Sequence, residues 1–315
     1  MKESKKGFAI ALAWPEMYCK QTAAWYDEFT HVLGISKYRY YKVGHAAVTL
    51  VDPEGNCHYY DFGRYHAPYS QGRVRAALSD HDLTIRTKAV FSEDGKQILN
   101  FKEILEELQR NPACHGEGRL HASYSLIDYA AAHKKVSEMH ARHIYPYGPF
   151  VWNGTNCARF VNTIIRAGKP KWNKWFYLQF LKPITSTTLT NVHALNKKLV
   201  IPYMLEREIF VPTALPEKAR LYGILPVPPI PDNLKDKNIH WLSGEGAGSW
   251  FLPEFKEKTV FLQRFTANGA LEGEAELNLV SAKMPREIDK IKLTYPSALH
   301  RLNIEIDGEI FEFHI

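Results

Sequence analysis

The chain has 315 residues, 45% hydrophobic and 23% charged, with 40 basic against 34 acidic side chains and a formal charge of +6. That composition excludes a disordered or fibrous chain, and no apolar run approaches the ~20 residues that span a bilayer. The positive excess is spread along the sequence rather than gathered into a stripe that would neutralise several phosphates, so no nucleic-acid partner is expected.

The first six residues are basic and precede an apolar run at 8–14 (FAIALAW). The run is short for a secretory leader and ends in Trp14-Pro15 with no small-residue cleavage site, so it reads as a buried first strand. Residues 22–33 carry Ala24, Trp25, Phe29, Val32 and Leu33 at helical spacing, with Gly34 as the stop. A hairpin follows: β-prone runs at 46–51 and 57–62 flank Asp52-Pro53-Glu54-Gly55-Asn56, a cluster of turn formers. Residues 100–109 read as a short amphipathic helix with Asn100 at its N-cap and Glu103 three residues on. A longer alanine-rich helix is expected over 125–142, then a loop over 145–154. Residues 157–167 (CARFVNTIIRA) are helical in pattern and are stopped by Gly168 and Pro170. The stretch 171–237 is rich in aromatics and prolines, too apolar for a free linker, and is expected to pack on the first domain as a connector. Beyond it, strand-like runs at 259–265, 271–280, 288–295, 302–306 and 309–315 alternate with turns. The predicted organisation is an α+β domain over 7–170, the connector over 171–237 and a small antiparallel β domain over 238–315.

Four cysteines (Cys19, Cys57, Cys114 and Cys157) are too few for a disulfide framework in a chain this long, and read as reduced thiols in a cytoplasmic setting. Cys157 opens its predicted helix behind a Gly-Pro-rich loop, in Gly154-Thr155-Asn156-Cys157-Ala158-Arg159-Phe160. The free N–H groups and dipole of a helix N-terminus stabilise a thiolate and can hold an oxyanion, with Asn156 and Thr155 in support. A nucleophilic cysteine also needs a base close in space. His45 stands at the entrance of the first hairpin strand, in Gly44-His45-Ala46-Ala47, among small residues expected to leave room around the imidazole. Centring the turn near Glu54 pairs residues whose numbers sum to about 108, which puts Asp61 diagonal to His45 on one face. A carboxylate there would fix the tautomer that a general base needs, whereas His58 faces the other way. Each residue also has a plainer reading: Cys157 as core, His45 as a structural histidine, Asp61 as a strand-end carboxylate paired with Arg64.

A histidine opening a strand, a polar residue on the partner strand and Asn156-Cys157-Ala158-Arg159-Phe160 opening a later helix together resemble the permuted papain-like fold. Its members include the lecithin retinol acyltransferase group, the PPPDE peptidases and relatives of the NlpC-type cell-wall peptidases. In those families the histidine strand precedes the cysteine helix, as His45 here precedes Cys157 by 112 residues. The resemblance covers residues 8–170. It implies a thiol-dependent hydrolase of amide or ester bonds, of peptide or peptidoglycan type, with Cys157 as nucleophile, His45 as base and Asp61 as the orienting group. It implies no cofactor and a peptide-like or acylated small substrate. Acyltransferases of this group usually carry a second histidine where Asp61 stands, so transfer is not favoured over hydrolysis. Over its full length the chain also resembles bacterial proteins of unassigned function that share the Gly-His-Ala-Ala strand, Asp61-Phe62-Gly63-Arg64-Tyr65 and the Gly-x-Gly-Ala-Gly-Ser-Trp element at 244–250.

Alternatives stay open. An acyltransferase would use the same thioester, and a non-catalytic module would keep the cleft without turnover. Cys19 also precedes a predicted helix, in the unpermuted order, although only 26 residues separate it from His45. Arg64, Tyr65 and Arg73 border a loop rich in Tyr, His and Pro, and are candidates for binding a substrate carboxylate or, more plainly, for surface ion pairing. The 244–250 element lacks the Lys-Ser/Thr ending of a phosphate loop and reads as a tight turn. Fourteen histidines include His133, His140 and His143 on one predicted helix, but no zinc-type spacing occurs and no metal site is expected.

Overall fold

The computed structural model describes residues 6–315 except 23, 115, 182–184, 216–221 and 281–290. The chain begins with β1 (Lys6–Trp14), β2 (Cys19–Lys20), α1 (Asp27–Val32), β3 (Tyr40–Tyr41), β4 (His45–Val51), β5 (Cys57–Gly63) and β6 (Gln71–Ala76). It continues through α2 (Phe101–Arg110), β7 (Leu120–Asp128), α3 (Tyr129–Arg142), β8 (Ile144–Pro146) and α4 (Cys157–Ala167). Next come α5 (Trp172–Phe180), α6 (Thr188–His193) and β9 (Asn196–Ile201). The C-terminal part is all strand apart from turns: β10 (His240–Ser243), β11 (Gly248–Phe255), β12 (Thr259–Phe265), β13 (Leu271–Leu279), β14 (Lys292–Ala298), β15 (Arg301–Ile306) and β16 (Glu309–His314). The fold is α+β.

An antiparallel sheet in the order β8-β6-β5-β4-β1-β7-β9 forms the first body. Strand alternation in β1 decides how it is covered. Ala9, Ala11 and Ala13 face the side packed by α3, α4 and α6, and these small side chains let the helices lie close. Phe8, Ile10, Leu12 and Trp14 face the other side, where α2 contributes Phe101, Ile104, Leu105 and Leu108. The hairpin takes the register expected from its turn, with Ala47 opposite Asp61 and Val51 opposite Cys57.

Several elements differ from the sequence reading. The 125–142 helix starts only at Tyr129, because residues 120–128 (LHASYSLID) form a strand that pairs with β1. Asp128 then caps α3 through its carboxylate, which accepts from the Ala131 N–H at 3.1 Å. The 22–33 helix contracts to α1, and Trp25, Phe29, Val32 and Leu33 are exposed rather than core-facing. Asn100 precedes α2 but does not cap it; its side chain accepts from the Val90 N–H and donates to the Lys88 carbonyl. The stretch expected as a packed connector supplies α5, α6 and the edge strand β9. Of the run expected at 288–295, residues 288–290 lie outside the described residues.

The second sheet has the order β10-β11-β12-β13-β16-β15-β14. The Tyr295 hydroxyl of β14 donates to the Ser243 carbonyl of β10 at 2.7 Å, so the sheet curls back on itself around Phe251, Leu262, Leu277, Leu302 and Phe313. Buried charges join it to the first body. Arg264 of β12 donates to Asp80 at 3.0 Å and to Glu272 at 2.8 Å, while Asp80 also holds Arg73 at 2.7 and 2.8 Å. Beside these, the rings of His140 and His143 at the end of α3 meet His300 at 4.7 and 5.1 Å between centroids.

That histidine cluster makes the assembly acid-sensitive. Burial lowers the pKa of His140 to about 4, of His143 to about 3 and of His300 to about 2, helped by the nearby charges of Arg73 and Arg301 and opposed by Asp80. His314 also faces the group. An unfolded histidine titrates near 6.5, so on acidification the unfolded chain takes up protons that the folded one refuses. Stability is therefore full above about pH 6.5 and falls as the pH drops toward 4, by up to about 1.4 kcal/mol per pH unit for a well-buried histidine. Urea midpoints measured from pH 7.5 to 4.5 should fall steadily, and His300→Leu should flatten the dependence; an unchanged slope in that variant would remove the cluster from the account.

Candidate active site

Gly44 sets the position of His45. Its φ is +74°, and a Cβ there would lie 2.6 Å from the Trp14 carbonyl oxygen and 2.7 Å from Pro15 Cα, so only glycine can turn the chain into β4 against the end of β1. His45 then lies opposite Trp14 across the ladder, and the two rings stack with centroids 5.8 Å apart. Its Nε2 is 3.3 Å from Oδ2 of Asp61. Asp61 is fully buried and also receives Arg75 Nε at 2.9 Å, Arg75 Nη2 at 2.5 Å and the Tyr59 hydroxyl at 3.1 Å. Burial alone would raise its pKa, but the Arg75 charge and the hydrogen bonds from His45 and Arg75 outweigh it and hold the carboxyl well below the usual range. A permanent carboxylate at Nε2 assigns the proton to that nitrogen. Nδ1 has no hydrogen-bond partner among the described residues and is the nitrogen free to exchange a proton.

Cys157 is the first residue of α4. Asn156 caps the helix, its Oδ1 accepting from the Arg159 N–H at 2.9 Å. The Cys157 sulfur takes backbone hydrogen bonds from Ala158 and from Ala46, the residue after His45. Ala46 lies beyond the last β4–β5 pair, Ala47 with Asp61, which frees it for the sulfur. Ala46 belongs to the face that packs on α4, whereas the His45 ring lies with Trp14 on the other. Sulfur and imidazole thus reach the head of β4 from opposite faces, and no hydrogen bond joins them. Burial pushes the Cys157 thiol up to about 12, the nearby Cys19 acting in the same direction and the two backbone bonds against it. The lowered thiol pKa expected from the helix N-terminus is therefore not found.

A cavity of about 480 Å³ opens onto both Cys157 and Cys19, walled in part by Gln21, Tyr26, Gly44 and Asn156. Cys19 is half-buried, and its sulfur lies 3.1 Å from Arg64 Nη2. Arg64 is held in turn by Glu245, at 2.6 Å, and lies over the Tyr147 ring. The turn at Gly244–Ala247 thus reaches from the second sheet to the second cysteine.

A family model described as Type VI secretion system effector TseH-like matches residues 9–173, more than half of the chain. The chain belongs to that family. The matched segment contains Cys19, His45, Asp61 and Cys157. Residues 239–315, the curled second sheet, match the DUF6695 C-terminal domain. Neither the curated proteins nor the solved structures give a match.

The remaining expected site residues are engaged inside the TseH-like segment. Arg64, Tyr65 and Arg73 are all buried, not surface ion-pairing groups, and none lines the cysteine cavity. Arg73 grips Asp80 with both terminal nitrogens, and Tyr65 lies 3.9 Å beneath the Arg75 guanidinium. Thr155 is buried, with its hydroxyl on the Asn156 carbonyl, and is also absent from the cavity wall. Asp61 pairs with Arg75 and not with Arg64. The room expected around His45 is filled, since Ala46 and Ala47 are fully buried and Trp14 covers the ring. Sequence reading missed Arg75, Tyr59, Trp14 and Glu245. The alternation Arg73-Val74-Arg75 was the one available sign of the strand that delivers Arg75. No group of three or more His, Cys, Asp or Glu among the described residues is arranged to hold a metal ion.

These environments order the four thiols. Burial pushes Cys57, Cys114 and Cys157 each up to about 12, while Cys19 is the more exposed and has a guanidinium at its sulfur. Iodoacetamide at neutral pH, read by peptide mass spectrometry, should label Cys19 ahead of the other three, with Cys157 gaining as the pH is raised to 10. Labelling of Cys157 first near pH 6 would contradict the structure.

Proposed function

We propose that the chain is a thiol-dependent hydrolase of amide or ester bonds, a permuted papain-like enzyme with Cys157 as nucleophile, His45 as general base and Asp61 as the group that orients the imidazole. The supporting observation is the buried Arg75–Asp61–His45 series, which holds Nε2 and leaves Nδ1 open at the head of the strand whose next N–H meets the Cys157 sulfur. A histidine kept only for packing has no need of an ionised carboxylate that is itself clamped by arginine.

In this reading the resting thiol is protonated and the imidazole lies on the other face of β4, outside the cavity wall. Proton transfer therefore requires the His45 ring to turn past Gly44 toward the sulfur, or one bridging water, once substrate is bound. When a carbonyl enters the cavity, His45 Nδ1 takes the thiol proton and the sulfur forms a bond to the carbonyl carbon. The C=O electron pair moves to oxygen, where the Cys157 N–H at the head of α4 receives it, the next three N–H groups being engaged by the sulfur and by Asn156. Collapse expels the amine or alcohol, which carries away the imidazolium proton, and leaves a thioester. Water, deprotonated by the same imidazole, attacks the thioester and restores the thiol. The family's description supports delivery as a type VI secretion system effector, so the producing cell's cytoplasm is where the chain is made and not where it acts. Peptide or peptidoglycan-type amides are the substrate class that the papain-like resemblance implies.

Turnover of a p-nitrophenyl ester and of peptidoglycan fragments, followed by chromatography, tests the assignment. Cys157→Ala should abolish turnover, and His45→Ala and Asp61→Asn should each lower kcat by roughly 10²–10⁴-fold. The rate should rise from pH 6 toward pH 9 as the thiol becomes easier to ionise. Retained activity in Cys157→Ala with loss in Cys19→Ala would move the nucleophile to Cys19. Acyl transfer to added amines in place of hydrolysis would make the protein a transferase. No turnover on any acyl substrate would leave a binding module.

A further inference from the structure

A second cavity, of about 440 Å³, lies at the other end of β1 from the cysteines, roughly 25 Å away along the strand. Lys6, Lys96, Lys169, Lys171, Lys174 and Lys197 line it, from the start of β1, the 92–97 turn, the α4–α5 connection, α5 and β9. One carboxylate lines it, Asp128, and that group already caps α3. Among the described residues, Lys96 is the one lysine of the six with a carboxylate partner, Asp94 at 3.3 Å.

Lys174 is the telling member. It is 7% exposed, and its Nζ donates to the Ser125 hydroxyl at 2.9 Å, with no carboxylate paired to it among the described residues. Burial and the neighbouring Lys171 charge lower its pKa. A buried ammonium facing more lysines is costly, and cores avoid it unless a counter-charge arrives. The backbone adds a second sign. Lys169 and Lys197 both adopt positive φ, +48° and +56°, an uncommon conformation for a lysine and one that clusters at ligand clamps. The walls between the lysines include Tyr124, Leu126 and Ile127, so the cavity also offers apolar surface, and its size is that of a small-molecule site.

We propose that this cavity binds a small anion carrying two or more phosphate groups, with Lys174 as the buried anchor and the outer lysines closing around it. Several clustered lysines without carboxylates match a multiply charged ligand, whereas a single carboxylate would leave most of them uncompensated. The phosphates can belong to a free oligophosphate or to a diphosphate lipid headgroup.

The full-length protein titrated with tripolyphosphate tests this. Saturating ligand should raise the melting temperature by about 5 °C, and the affinity should weaken at least tenfold between 50 and 300 mM salt. Lys174→Met should abolish the ligand-induced shift without lowering the melting temperature of the free protein, because it removes an uncompensated buried charge. A merely structural lysine would give the opposite. If Lys174→Met does not fold, the exposed pair Lys171→Ser and Lys197→Asn, the latter tolerant of positive φ, should cut affinity at least tenfold. Co-sedimentation with phosphatidylcholine vesicles containing a third cardiolipin, competed by tripolyphosphate, would assign the phosphates to a lipid. Binding of tripolyphosphate without sedimentation would assign them to a free anion. Absence of both at low salt, or binding that survives the lysine variants, would overturn the proposal.

Discussion

An ionised carboxylate without solvent is tolerated only when its lone pairs are engaged, and Asp61 is such a carboxylate. Its two oxygens accept from both sides of the Arg75 guanidinium, from Tyr59 and from His45. Those donors stand on three adjacent strands, and the row Ala47–Asp61–Arg75 is their common register. A slip of one residue in β4 or β6 would send a donor to the opposite face and strand the charge. Arg75 extends the constraint outward, donating to the Ala113 carbonyl at 3.0 Å and lying on the Tyr65 ring. Histidine placement, strand register and the packing below the sheet therefore stand or fall with one buried charge.

How legible this was depended on the range of the interactions. The hairpin register followed from the Asp52–Asn56 turn, since a turn fixes its flanking strands locally, and that alone placed Asp61 diagonal to His45. The helix at Cys157–Ala167 was equally local: apolar positions at Phe160, Val161, Ile164 and Ile165, Asn156 before them and Gly168 after. What failed was long-range. Residues 125–128 read as the start of the alanine-rich helix until β1 pairs with them. Glu245 and Arg64 are 181 residues apart, and nothing near either one announces the other. Arg64 and Arg73 looked like surface groups because an arginine in a Tyr-Pro-rich loop usually is one.

The site's chemistry also turns on a contest that spacing could not settle. A helix N-terminus offers a nearby charge about 0.3–2 kcal/mol. The rise of the Cys157 thiol from 9.0 to about 12 corresponds to roughly 4 kcal/mol in favour of the neutral form. Burial wins, and it wins because the alanines of β1 and β4 let α4 settle closely onto the sheet. The same close packing that fixes the sulfur against the Ala46 N–H removes the water that would solvate a thiolate. Activation then has to come with the substrate, through a base, and not from the resting electrostatics alone.

The two family segments meet on a surface built from charge. Arg264 of the second sheet completes the pairing of Asp80, and Glu245 completes that of Arg64. Taking Glu245 away leaves Arg64 buried without a carboxylate, a loss of about 3–5 kcal/mol for a broken pair, whereas taking Arg264 away leaves Asp80 with Arg73; the pairs themselves add little net stability. Such contacts select one docking arrangement more than they strengthen it. Because Arg64 also donates to the Cys19 sulfur, that arrangement carries through to the cavity shared by Cys19 and Cys157. The second sheet contributes no catalytic group in the reading above. It nonetheless sets the charge beside one of the two thiols, so the two segments act as a single unit although their sequences match separate family models.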